Sequence, residues 1–484
     1  MTMTRFIGFA PDIPKDTPGV IIDCTQLISN EHAMAAAPAT AAPTGLVAVT
    51  AAVRGAATVT STTGTRYTYA GTQTDLYQEN GTTWTDVGAS SLSGSSENRW
   101  SFAQFGNATL ASNNTQKIQA ATGGNFTEIA TAPVAEFIVG AKDFVLAFNT
   151  NEGTFGDQPD RWWSSSFQDH SLWTPDAAVQ CVSGRLIGAG GALTAAAMLG
   201  QTCIAYKLRQ MFQGQYVGPP VVWQWDSIIG EQGCVGPEAV TDIGGAHVFV
   251  GEDNIWIYDG TRAVPIAGDI RQWFYTELSS TWQGRTIVAW ERKNNRIWIF
   301  YPNASSTGNP NAAVVYHLKT KRWGRANRTI EAALANYKSA GVTWDTLSGV
   351  SATWDGLPDI PWDSSFWQAG SLSFSIFDTS HKLQSLIGSG EDCTLTTGDV
   401  GDDIGVSSVN QVVLRFDTAP VSGTISGQIR DELGGSQSTG GSGTYSNEKF
   451  DIRQTARWHR FAISMTGDVE VAGMDVRAVK AGKR

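Results

Sequence analysis

Val315-Tyr316-His317-Leu318 leads through Lys319-Thr320-Lys321 into Trp323. The first four residues read as a strand carrying an aromatic, the next three as a polar turn, and the tryptophan as the opening of a second strand. The same hairpin pattern returns four times. Leu76-Tyr77-Gln78-Glu79-Asn80-Gly81 leads to Trp84, Ile118-Gln119 passes Gly123-Gly124 to Phe126, Ile257-Tyr258-Asp259-Gly260 leads to Val264-Pro265-Ile266, and Ile376-Phe377-Asp378 leads to Leu383. Ile204-Ala205-Tyr206-Lys207 is a plausible further member. Recurrence at roughly 40 to 60 residues is the period of propeller blades, whose radial packing protects every sheet edge. The expectation is an all-β chain with a β-propeller-like domain over 46–389. A stack of sandwich hairpins is the alternative, because the spacing is irregular.

Composition agrees with this class. Charged residues make up 16% of the 484, against 52 glycines and 18 tryptophans, which favours short strands and tight turns over long surface helices. A net charge of −11 gives no electrostatic footprint for tight nucleic-acid binding at the level of the whole chain. Cys24, Cys181, Cys203, Cys234 and Cys393 are widely spaced and odd in number, which supports neither a zinc site nor a disulfide framework and suits buried free thiols. The apolar run Phe6–Ala10 is too short for a signal peptide, and no stretch approaches a membrane span.

Three segments depart from the repeat. Residues 1–45 read as an extended arm and linker, available for pairing with a neighbouring subunit. Ala192-Leu193-Thr194-Ala195-Ala196-Ala197-Met198-Leu199, after the Gly188–Gly191 turn, reads as a possible short helix near 192–199. Residues 390–484 read as a separate C-terminal β-sandwich-like domain, with strands such as Gln411–Phe416 and Arg460–Met465 flanking a flexible loop at Gly434–Gly443.

Taken in order, several segments resemble the tail nozzle proteins of short-tailed bacteriophages (podoviruses), also known as packaged-DNA stabilisation or tail accessory proteins. They are Phe6–Asp12 with Thr17–Val20 and Cys24; Arg99-Trp100-Ser101-Phe102-Ala103-Gln104-Phe105-Gly106; Phe144–Ala147; Arg161-Trp162-Trp163-Ser164 with Ser171-Leu172-Trp173; Gly233-Cys234-Val235-Gly236-Pro237-Glu238; Val248–Gly260; Arg457–Phe461; and Gly473–Val476. The resemblance spans nearly the whole chain. It implies a non-enzymatic structural protein of the virion tail, assembled in the host cytoplasm. It implies a homo-oligomer, a hexameric ring, that closes the connector below the portal adaptor ring and meets a tail needle, plug or fibre. Double-stranded DNA would pass through its lumen without specific binding during ejection, and no cofactor or membrane insertion is implied.

Thr343-Trp344-Asp345, Thr353-Trp354-Asp355 and Pro361-Trp362-Asp363 repeat a Trp-Asp step, and Trp367 follows. These tryptophans read as plugs of a loop-rich core, each aspartate capping its turn, with subunit contact as the extension of that role. A tail-associated glycan-binding or glycan-hydrolysing propeller is the alternative function. It would need paired carboxylates, for which Asp157, Asp160, Asp253, Asp269 and Glu291 are the candidates near turns. Ser164–Trp173 partly resembles the Asp-box turn of sialidases but lacks its glycine. The six histidines show no ligand spacing, and no Gly-x-Ser-x-Gly elbow occurs, so neither metal nor nucleophilic chemistry is indicated.

Overall fold

The computed structural model describes residues 3–43, 45–89, 92–338, 353 and 372–483. Trp344, Trp354, Trp362 and Trp367 lie outside the described residues.

Four-stranded antiparallel meanders follow one another along the chain: blade one over 56–86, two over 101–128, three over 134–185, four over 193–228, five over 240–265 and six over 287–326. Blade seven takes Ala332–Lys338, Leu372–Phe377 and Leu383–Gly390, and receives its outer strand, Pro38–Ala41, from the other end of the chain. The first strand of each blade lies beside the first strand of the next, and Ala332–Lys338 returns to Ala56–Thr60, so the ring is closed. Six blades are free-standing sheets, while blade six continues outward through Leu27–Ser29 into a larger sheet. The domain is a β-propeller.

Burial explains why these segments are strands. Ala312–His317 in blade six is buried on both faces, since each blade is sandwiched between two others, and its sequence is correspondingly a continuous apolar run. Between blades six and seven, Trp298, Phe300 and Phe374 stack with ring centroids 5.6 to 6.2 Å apart. Each such pair is worth about 0.5–1.5 kcal/mol beyond its buried area.

The structure corrects three sequence expectations. Leu193–Leu199 is the first strand of blade four, not a helix. It pairs with Thr202–Lys207 across the turn Gly200-Gln201, where Gly200 takes φ +62°. Its alanines favour helix locally, but Ala195 is fully buried in the crowded inner ring, where small side chains fit, and tertiary packing overrides propensity. The expected arm, over its described residues 3–43 and 45, is not free. Thr4–Arg5 pairs with Gly473 and Met474, Val20–Thr25 with Cys393–Thr397, Leu27–Ser29 with Arg325 of blade six, and Met34–Ala36 with both Leu27–Ser29 and Glu470–Val471. These pairings within the chain occupy the edges that intersubunit pairing would have used.

The third correction concerns the glycine run of the C-terminal domain. Two sheets face each other there. One holds Gly405–Thr418, Lys449–Ala456 and Glu470–Lys483; the other holds Cys393–Thr397, Ser422–Arg430 and Trp458–Thr466. Val412, Leu414, Ile425, Phe450, Ile452, Ile463 and Met465 fill the space between them. Within the expected flexible loop, residues 438–443 belong to a strand, Ser438–Ser446, that passes from Ser422–Arg430 of one sheet to Lys449–Ala456 of the other. A Cβ at Gly443 would stand 2.2 Å from the Asp451 carbonyl oxygen, and one at Gly441 2.5 Å from that of Arg453. The run is glycine-rich because the crossing needs close backbone approach.

Candidate functional site

The ring of first strands encloses an axial cavity of about 350 Å³, lined by Glu97–Ser101, Asn114, Glu136, Asn149, Ala192–Thr194, Val235–Glu238, Thr281, Trp282, Gly284 and Arg285. Most of these residues come from the starts of blades two to six; Asn114 comes from the turn after the second strand of blade two and Asn149 from the second strand of blade three. The linker into blade two crosses the mouth of this cavity. Arg99 donates Nε to Glu238 Oε2 at 2.9 Å and Nη2 to the Glu331 carbonyl at 2.8 Å, so one side chain ties blade two to blades five and seven. Arg285 pairs with Glu97 at 2.7 Å and donates to the Ser96 carbonyl at 3.0 Å, which also receives Arg54 Nη1 at 2.5 Å. Two guanidinium groups, of Arg54 and Arg285, therefore converge on the Ser96 carbonyl, while that of Arg99 reaches out from the same segment to Glu238 and the Glu331 carbonyl. Burial is the main cause holding Arg54 below the usual arginine range, with Arg99 and Arg285 adding to it.

The motifs quoted from the sequence meet here. In Arg99-Trp100-Ser101, Trp100 packs on Gly71 of blade one and donates its indole N–H to the Thr72 carbonyl at 2.6 Å, while Ser101 Oγ accepts the Ile138 N–H of blade three at 3.1 Å. In Gly233–Glu238, a Cβ on Gly233 would meet the Lys207 carbonyl at 2.1 Å and one on Gly236 the Gly284 carbonyl at 2.1 Å, so this turn knits blade five to four and six. Glu331 closes the seam between blades seven and one: its carboxylate accepts the Val53 N–H at 2.8 Å and lies 2.8 Å from His381 Nδ1.

At the cavity wall, burial raises the Glu136 carboxyl above the ordinary range, and Asn149 Nδ2 donates to it. Glu136, Asn149, Asn114 and Thr194 give the cavity hydrogen-bonding groups of both kinds, and Trp282 lines it along with Trp100, the Trp282 face covered by Arg285 at 4.4 Å.

The five carboxylates proposed from sequence are not brought together. Asp160 pairs with Arg185 in blade three. Glu291, in blade six, receives the Trp298 indole N–H at 2.7 Å and lies 3.9 Å from Arg296. Asp157 sits opposite Asn151 in blade three, Asp253 in a turn of blade five, and Asp269 ahead of the helix Arg271–Glu277. The Asp-box-like segment does form a turn between the third and fourth strands of blade three. Asp169 Oδ1 accepts from Ser171 N at 2.8 Å, Trp173 is fully buried, and Gln168 takes φ +56° without the expected glycine.

Ser407, His459 and Gln454 resemble a nucleophile–base–orienter array in outline only. Gln454 Oε1 accepts the Gly441 N–H, which directs its Nε2 at His459 Nδ1, 3.0 Å away. Nδ1 is thus the acceptor, and Nε2–H donates to Ser407 Oγ at 2.9 Å, so the imidazole offers no lone pair to that hydroxyl. The five thiols are free and buried, and burial raises Cys181, Cys234 and Cys393 to about 12. Among the described residues no group of three His, Cys, Asp or Glu is placed to hold a metal ion, and no helix is long and apolar enough to cross a membrane.

Fold and site together define a β-propeller protein with a C-terminal β-sandwich and an ion-paired strap across its axis. No family model and no curated protein matches the chain. Among solved structures, it is similar to BamB from Moraxella catarrhalis (10% identity, 76% of this chain and 96% of that one, TM-score 0.38). It is also similar to YCF48 bound to D1 peptide (10% identity, 72% and 94%, TM-score 0.37). A computationally designed protein, Ika8, is similar at 10% identity over 71% and 99%, with a TM-score of 0.36. These likenesses carry nothing about function.

Proposed function

We propose that the chain is a structural virion protein whose copies join into the tubular nozzle of a short phage tail, closing the connector and guiding DNA ejection. The observation that carries this reading is a pair of exposed apolar groups on opposite rims of the same two blades. In a meander, the second-to-third turns and the blade-to-blade crossovers share one rim, and the remaining turns share the other. Phe155, Ile187 and Ile229 lie on the crossover rim of blades three and four, and Ile229 is 98% exposed. Phe167, Tyr216, Val217 and Val221 lie on the opposite rim. Large exposed aliphatic and aromatic side chains at both ends of one subunit suit heterologous contacts, which close by rotation into a ring. The ordered motif resemblance along the chain supports the same reading.

The DNA path in this proposal lies between copies. A cavity of about 350 Å³ crossed by Arg99–Glu238 is no passage for a duplex, whose major groove alone is about 12 Å wide. Ile229→Asp together with Val221→Asp tests the assembly. The monomer should keep its fold by circular dichroism and lose ring formation with the adaptor ring; rings formed at wild-type concentration would overturn the assignment. The axial carboxylates Glu97, Glu136 and Glu238 keep a glycan-binding reading testable, since saturable binding of a host saccharide abolished by Glu136→Gln would favour it.

A further inference from the structure

We propose that residues 27–41 form a latch through which the C-terminal sandwich holds the propeller ring shut. A propeller closes when strands from both chain ends complete one blade. Here the N-terminal contribution is Pro38–Ala41, paired with Leu383–Gly390 only at Ser385, Leu386 and Gly390, with a register shift between the last two. Pro-Ala-Thr-Ala is a poor strand by itself, lacking large side chains and one backbone donor.

What holds it comes largely from elsewhere. Immediately before it, Met34 and Ala35 pair with Val471 and Glu470 of the sandwich, and the Ala36 N–H donates to the Val469 carbonyl at 2.8 Å. Asn30 Nδ2 donates to Glu470 Oε1 at 2.7 Å. The Gly390 N–H, at the far end of the blade-seven strand, donates to Asp468 in the same sandwich turn. The Glu391 N–H donates to the Ala37 carbonyl at 2.9 Å, and the buried Arg328 reaches both the Pro38 carbonyl and Glu391, the latter at 3.2 Å. The weak closing strand and the sandwich turn 467–471 thus share one set of hydrogen bonds, in a position to open as a single unit. Displacing the sandwich's last strand, by a partner or by force along the chain, loosens blade seven before any other blade.

Hydrogen exchange in the full chain tests this. In the unaltered protein, the amides of Ala36, Ala37, Gly390 and Glu391 should share one dependence on denaturant, opening below the amide of Val250 in blade five, which donates to Ala239 at 3.0 Å. If Ala37 and Glu391 follow Val250 instead of Ala36, the latch is not a unit and the proposal fails. In the double variant Asn30→Ala, Asp468→Ala, loss of these bonds should raise exchange at Ala37 and Glu391 by about tenfold or more, leaving Val250 unchanged. Unchanged exchange at Ala37, or an equal rise at Val250, would overturn it. Ring assembly is not needed for either measurement, so the result is independent of the proposed function.

Discussion

Replacing Arg99 by methionine removes the charge that crosses the propeller axis and keeps most of the aliphatic stem. Arg99 is 10% exposed and Glu238 26% exposed at the side chain. Breaking a fully buried pair by deleting one partner costs about 3–5 kcal/mol, because the other charge is left unpaired. Water reaches Glu238, which lowers the expected cost to about 2 kcal/mol, with loss of the bond to the Glu331 carbonyl contributing part of it. Glu238→Gln alone should cost about 1–2 kcal/mol for the same reason in reverse. The double variant should be less destabilised than the sum of the two by about 1 kcal/mol, since neither charge is then orphaned. Urea unfolding followed by tryptophan fluorescence measures this cycle, with an unchanged slope against denaturant confirming comparable unfolded states. Single variants within about 0.5 kcal/mol of wild type, combining additively, would refute the axial clamp.

Other expectations follow from particular residues. Gly443→Ala forces a Cβ to within 2.2 Å of a backbone carbonyl and should destabilise by about 1–3 kcal/mol. Gly434→Ala, where nothing lies within 4 Å, should be neutral or mildly stabilising; equal effects in urea titrations would mean that the crossing strand is wrong. Burial holds the His247, His317 and His459 imidazoles below their ordinary range, and at His247 the Nε2–H already donates to the Met198 carbonyl while Nδ1 accepts from Tyr206. The unfolded chain therefore binds more protons just below the ordinary histidine range. Their contribution is complete above about pH 6.5 and is lost as pH falls, at no more than about 1.4 kcal/mol per pH unit for each group. Burial raises Glu79 and Glu136, whose effect runs in the opposite sense. His247→Asn should flatten the acid slope of the urea midpoint between pH 7.5 and 5.5, and an unchanged slope would contradict the assignment. The five buried thiols should resist a polar thiol reagent in the native state and react on unfolding; fast labelling of the native protein would contradict their burial.

The hairpin rhythm was legible because it marks one recurring place. The starts at 76, 118, 257 and 315 fall at or within the third-to-fourth strand hairpins of blades one, two, five and six. Those at 204 and 376 fall in second strands, of blades four and seven, which accounts for the uneven intervals. Blade three escaped because its third strand opens on Gly156-Asp157-Gln158-Pro159-Asp160, polar and without an aromatic, and because residues 165–182 separate it from the fourth. The C-terminal sandwich was visible in strand alternation, while its glycine strand read as a loop because backbone proximity leaves no side-chain pattern. The axial clamp was not legible at all. Arg99 and Glu238 lie 139 residues apart, each inside a distinctive local motif, and only ring closure makes them neighbours. The threading of the N-terminal strands was hidden for the same reason: Leu27–Ser29 and Met34–Ala36 pair locally, but Arg325, Glu470–Val471 and the partners of Pro38 lie at the far end of the chain.

Assembly is the claim on which the functional account rests. Purified chain mixed with portal adaptor ring, examined by electron microscopy with class averages of the end-on view, should give closed six-fold rings with a lumen wide enough for duplex DNA. Single propellers bound to nothing, at concentrations where the adaptor ring itself is intact, would contradict it.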